Sequence, residues 1–150
     1  MKLTGGCACG ACRYEVDGEP TGMAACHCQA CQKRTGSAFG FGCFFAEKDV
    51  TISAGEDNFT VYDRIAESGR LVSHRFCGTC GTTVMWKPER LPDGIAIAAG
   101  TFDDTGWIKP SAFFWVSKAQ NWFAFSDDVP CFDKGQRDAP RENPIRPTSR

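Results

Sequence analysis

From residue 12 to 16 the chain alternates, with Cys12, Tyr14 and Val16 on one side and Arg13 and Glu15 on the other. That is the period of a half-buried strand, and Asp17-Gly18 ends it. A second alternation over 38–45 (AFGFGCFF) sets Phe39, Phe41, Cys43 and Phe45 against Gly40 and Gly42. It predicts a core strand whose bare face lets another group approach closely. Short strands are expected at 49–53, Phe59–Ile65, 71–76, 82–86 and 95–99, separated by glycine turns and a proline-containing loop. His74 falls on the face of Val72 and Phe76 and reads as a hydrogen-bonded sheet residue. Segments 111–117 (SAFFWVS) and 121–125 complete an aromatic-rich end of the core. The helical signal is confined to Gln29–Thr35, one or two turns stopped by Gly36 in the position that ends helices. With no longer amphipathic helix, the pattern predicts an all-β fold of short antiparallel strands.

A chain of 150 residues fits one domain, expected over 1–133. Residues 134–150 hold prolines 140, 144 and 147 with five basic and two acidic residues, and read as an extended tail. The formal charge of -1 and pI near 6.1 argue against binding a nucleic-acid backbone. The first residues, MKLTGGCACG, lack the basic end and apolar run of a secretory signal. No stretch approaches the roughly 18 apolar residues of a spanning helix, so no membrane role and a cytoplasmic location are expected.

Ten cysteines change the picture. In a reducing compartment, thiols placed in CxC and CxxC pairs read as metal ligands rather than disulfides. Residues 26–31 carry CxCxxC with a histidine inside it, and Cys7, Cys9 and Cys12 repeat that spacing. The spacing permits two equivalent triplets. An unequal division is preferred, because Cys12 falls on the apolar face of its strand, where a small buried thiol serves as packing. Cys7 and Cys9 then pair with Cys77 and Cys80, from the FCGTCG knuckle, in a closed structural site. Cys26, Cys28 and Cys31 form a second site with one position open, and they are the candidate catalytic residues. Cys43, between phenylalanines, reads as packing. Lys33 and Arg34 follow Cys31 closely enough to contact an anionic ligand. His27, inside a tight knuckle, is expected to point away from the ion, free to orient a substrate or to meet solvent. No GxSxG or phosphate loop supports serine hydrolysis or nucleotide chemistry.

With GGCxCG at 5–10, CHCxxC at 26–31, Gly36, FCxxCGT at 76–82 and Ala112-Phe113-Phe114-Trp115, the chain resembles the glutathione-dependent formaldehyde-activating enzymes over 5–122. The resemblance implies a zinc-stapled, Mss4-like β-tent with two zinc ions per chain. It assigns one to Cys7, Cys9, Cys77 and Cys80, and the other, linked with activity, to Cys26, Cys28 and Cys31. It also implies a small-molecule thiol partner, glutathione, joined to formaldehyde as S-hydroxymethylglutathione by a carbon-sulfur lyase. Lys33 and Arg34 would hold substrate carboxylates, and His27 would relay a proton. The chain departs from the family pattern at Ala8 and Phe113, where histidine is common, and in Gln32-Lys33-Arg34, where Trp-Lys-Pro follows the third cysteine of the formaldehyde-activating members. A non-catalytic zinc-stabilised scaffold for a macromolecule is the alternative, and thiol redox at Cys28 and Cys31 a third.

Overall fold

The computed structural model of the chain describes residues 1–135, so the tail expected over 134–150 lies outside the described residues from 136 onward. Two compact units are each assembled from separate segments: Met1–Gly22 with Gly42–Ile108, and Met23–Phe41 with the described chain that follows Ile108. The elements among the described residues are ten strands and one helix, with short 3-10 turns between them. The all-β architecture inferred from the sequence is therefore observed.

In the first unit, β1 (Lys2–Gly6), β2 (Arg13–Asp17) and β5 (Val50–Ala54) form an antiparallel sheet in the order β1-β2-β5. β4 (Gly40–Ala46) starts in the second unit and runs into the first. There β9 (Gly94–Ala98), β8 (Thr83–Pro88), β7 (Leu71–Cys77) and β6 (Phe59–Ile65) follow it in the order β4-β9-β8-β7-β6. The alternation at residues 12–16 has the expected result: Cys12, Tyr14 and Val16 are completely buried. Tyr14 satisfies its hydroxyl on Thr101 Oγ1 at 2.9 Å and packs edge-on against Phe102. Cys43 is also fully buried within β4, in a packing role. His74 behaves as a sheet histidine, accepting the Arg64 Nε–H at 3.4 Å.

The bare face of β4 is filled from outside the strand. A Cβ at Gly42 would lie 2.6 Å from Cζ2 of Trp86, so the missing side chain makes room for the indole.

The second unit contains β3 (Gly22–Cys26), α1 (Gln29–Thr35) and β10 (Ala112–Phe114). Gly36 ends α1 in the left-handed conformation at φ 63°, which costs glycine no steric strain. The core of this unit is Ala25, Phe113, Val116, Phe125 and Cys131, with Phe39, Phe41 and Phe123 packed against it. One pairing departs from the antiparallel expectation, since β10 runs parallel to β3 and sets Phe113 beside Ala25 and Phe114 beside Cys26. The parallel pair is possible because many residues separate the two strands, enough for a crossover connection. β1 and β3 had no clear sequence signal. KLTGG and GMAAC are rich in glycine and alanine and carry no apolar alternation.

Gly42→Val is expected to destabilise the protein by about 1–3 kcal/mol through overpacking against the indole. Urea denaturation measures this, and Trp86→Leu in the same chain should recover part of the loss.

Candidate metal centres

Two groups of cysteines converge, one in each unit. In the first unit the Sγ atoms of Cys7, Cys9, Cys77 and Cys80 all lie within 4.8 Å of one another. Cys7 follows directly on β1, and Cys77 ends β7. Each knuckle folds back on itself, with Gly10 N–H donating to the Cys7 carbonyl and Gly81 N–H to the Cys77 carbonyl. Cys7 and Cys77 are buried, while Cys9 and Cys80 are exposed. The separations are 3.5 Å for Cys7–Cys9 and 3.8 Å for Cys9–Cys77. A disulfide needs about 2.05 Å, and none of the ten cysteines is in one. Tetrahedral ligation with zinc–sulfur bonds of about 2.3 Å puts sulfurs about 3.8 Å apart, so this donor set fits zinc in both chemistry and spacing.

Polar hydrogens are already aimed at these sulfurs. The Cys12 amide donates to Cys7 Sγ at 3.2 Å, the Thr79 amide to Cys77 Sγ at 3.4 Å, and Asn58 Nδ2 to Cys77 Sγ at 3.3 Å. Such donors stabilise negative sulfur and fix its direction. The Thr82 hydroxyl, 3.1 Å from Cys80 Sγ, leads the interactions that hold that thiol down to about 5. Cys12 stands outside the group. Its thiol is fully buried, faces the Gly55 carbonyl at 3.7 Å, and is pushed up to about 11, chiefly by burial.

In the second unit Cys26, Cys28 and Cys31 bring their sulfurs within 4.8 Å of one another, and all three are half-buried. Cys26 ends β3 and Cys28 is the N-cap of α1, its Sγ accepting the Cys31 N–H at 3.3 Å. Gln32 ties the knuckle down by donating Nε2 to the His27 carbonyl at 2.8 Å and to the Lys118 carbonyl at 3.0 Å. Crowding has an electrostatic consequence. Hydrogen bonding with Cys28, then with Cys31, and burial push the Cys26 thiol far above its ordinary range. Three thiolates this close need a cation, and a three-sulfur set leaves a tetrahedral ion one position for an outside ligand.

The other candidate residues separate. Lys33 and Arg34 are neighbours in sequence, but Lys33 is exposed while Arg34 is half-buried beside Cys31. For Cys31 the hydrogen bond from Cys26 and the charge of Arg34 favour the thiolate, yet Cys28 and burial outweigh them and raise its pKa. His27 has no exposed surface at all. Its ring is surrounded by Phe39, Phe113, Phe123 and Phe125 at centroid distances of 4.7–6.2 Å. Neither ring nitrogen makes a hydrogen bond of good geometry among the described residues, and burial lowers the ring's pKa to about 4. The alternative in which His27 meets solvent is corrected by this cage. The residues that build the cage lie 12 to about 100 positions away, so spacing around His27 gave no warning of it.

The family profile described as glutathione-dependent formaldehyde-activating enzyme matches residues 2–118. The chain belongs to this family. A crystal structure of a Rhodobacter sphaeroides protein superposes on this family member with a TM-score of 0.56 at 22% identity, covering 71% of this chain and 91% of that one. The likeness supports the shared fold. Among the described residues no helix is long and apolar enough to cross a membrane.

Cys77→Ser is expected to abolish metal retention at the four-sulfur group and to unfold the first unit. Cys12→Ala should keep the metal and cost about 2 kcal/mol or less from the small cavity. Metal content by mass spectrometry with circular dichroism separates the two outcomes. His27→Leu should leave metal content unchanged and shift stability by less than about 1 kcal/mol, because leucine fills the same apolar cage and only a weak contact of the ring with the Ala38 backbone is given up. Loss of metal in that variant would show that the imidazole acts on the knuckle.

Proposed function

We propose that this chain is a zinc enzyme of carbon-sulfur chemistry that joins a thiol to an aldehyde, the pair suggested by its family being glutathione and formaldehyde. The single observation that carries this reading is the inequality of the two sulfur groups: four sulfurs in one, three half-buried sulfurs in the other. A fourth cysteine closes a tetrahedral site, whereas a triplet leaves a place that an exogenous thiol can take. Zinc held by Cys26, Cys28 and Cys31 would lower the proton affinity of a thiol entering there.

The chain's own residues supply position. The Cys31 amide and Gln32 fix the knuckle, so the three sulfurs keep one geometry while a ligand comes and goes. Arg34 brings positive charge to the side of Cys31, which suits a negatively charged thiol compound. In the reaction a sulfur–carbon bond forms, the carbonyl π bond breaks, and the thiol proton ends on the former carbonyl oxygen. The product is a hemithioacetal and nothing is oxidised. Buried among phenylalanines, His27 is better suited to packing the core beside the knuckle than to carrying that proton. Catalytic roles for Cys26, Cys28 and Cys31, with one zinc in each sulfur group, complete the proposal.

A non-catalytic scaffold is favoured by a different observation. On the edge strand β6, Val61 and Ile65 on one face and Tyr62 on the other are 53%, 64% and 59% exposed, apolar positions open to a protein partner. Titration of glutathione into the zinc-loaded protein decides between them. The enzyme reading expects saturable binding that Cys31→Ala abolishes while the zinc of the four-sulfur group and the folded spectrum are kept. Unchanged binding and turnover in Cys31→Ala would overturn it.

A further inference from the structure

On a helix, consecutive side chains point about 100° apart, whereas residues three apart are neighbours on one face. α1 therefore sends Lys33 to solvent and sets Arg34 over the same face as Cys31. Gly40, buried at the start of β4, lies beneath both. A Cβ placed on Gly40 would sit 2.5 Å from Arg34 Nη2, 3.2 Å from Cys31 Cβ and 3.5 Å from Cys31 Sγ. One point, kept clear because the residue is glycine, thus touches the guanidinium and the sulfur together. Alanine there would displace the arginine from the cysteine. A glycine inside a strand weakens it, and here the missing side chain has a definite result: it seats a fixed cation beside the three-sulfur group.

A guanidinium is a planar fork that pairs a carboxylate through two parallel hydrogen bonds, and it keeps its charge at every physiological pH. Beside a site that takes a thiol, such a fork reads whatever anionic group the thiol carries near its sulfur. We propose that Arg34 determines specificity at the three-sulfur site by pairing the carboxylate of a mercapto acid whose sulfur enters beside Cys31. The preferred ligands carry that carboxylate two or three bonds from sulfur. In glutathione the carboxylate nearest the sulfur along the chain is six bonds away, so that thiol must fold back to reach the same fork. This inference rests on the reading of Cys26, Cys28 and Cys31 as a thiol site. A bland role competes with it: Arg34 serving only as a counter-charge for crowded sulfurs.

The test is calorimetric titration of the zinc-loaded full chain with 3-mercaptopropionate and with its methyl ester, which present the same thiol with and without a charge. Wild type should bind the acid about tenfold more tightly than the ester, the scale of one charge-assisted pair. Arg34→Gln should erase the preference, leaving ester affinity and zinc content unchanged. Arg34→Lys should restore part of it as a point charge, and Gly40→Ala should reduce it by moving the guanidinium. Equal binding of acid and ester by wild type would overturn the role of Arg34 while leaving the thiol site standing. So would a parallel loss of both affinities, or of zinc, in Arg34→Gln, since that is the signature of a counter-charge. If neither compound binds, the thiol site itself is overturned and the proposal with it.

Discussion

Thiolates crowded within 4.8 Å of one another repel, and the first unit places four sulfurs at that spacing from two knuckles far apart in the chain. Cys9 and Cys77, 68 positions apart, are 3.8 Å from each other. Closing a loop of that length costs a few kcal/mol of chain entropy, rising only slowly with length. A structural zinc on thiolates is worth on the order of 10 kcal/mol, as much as the whole stability of many domains. A cation at this group would therefore outweigh the loop it closes and join the end of β1 to the end of β7. The amides of Cys12 and Thr79 and the side chain of Asn58 give the sulfurs their direction.

The same ligand chemistry has a different consequence in the second unit. Cys26, Cys28 and Cys31 come from six consecutive positions, so an ion held by them closes no long loop and adds little to the order of the chain. The local fold around them rests on other contacts: the Gln32 bridge to Lys118, the parallel pairing of β10 with β3, and the phenylalanine cage around His27. The two sulfur sets thus differ both in number and in the length of chain that an ion would close.

Local features were legible in the sequence. The burial of Cys12, Tyr14 and Val16, the helix Gln29–Thr35 with its stop at Gly36, and the bare face of β4 each follow from periodicities of a few residues. The burial of Cys12 also argued for an unequal division of the cysteines, and the fold converges the same four and three. What could not be read was non-local or lacked a pattern. β1 and β3 are made of small residues, the parallel β3–β10 pair joins segments nearly ninety positions apart, and the cage of His27 is drawn from residues 39, 113, 123 and 125. The parting of Lys33 from Arg34 was hidden for another reason. It depends on helix phase relative to Gly40, which charge counting ignores.

The most direct measurement is zinc release from the purified chain against increasing chelator, followed together with near-ultraviolet circular dichroism. The account predicts two zincs per chain, the first leaving at low chelator with the tertiary signal intact and the second only as that signal collapses. A single zinc, two ions leaving together with the fold, or disulfides within either sulfur group would contradict it.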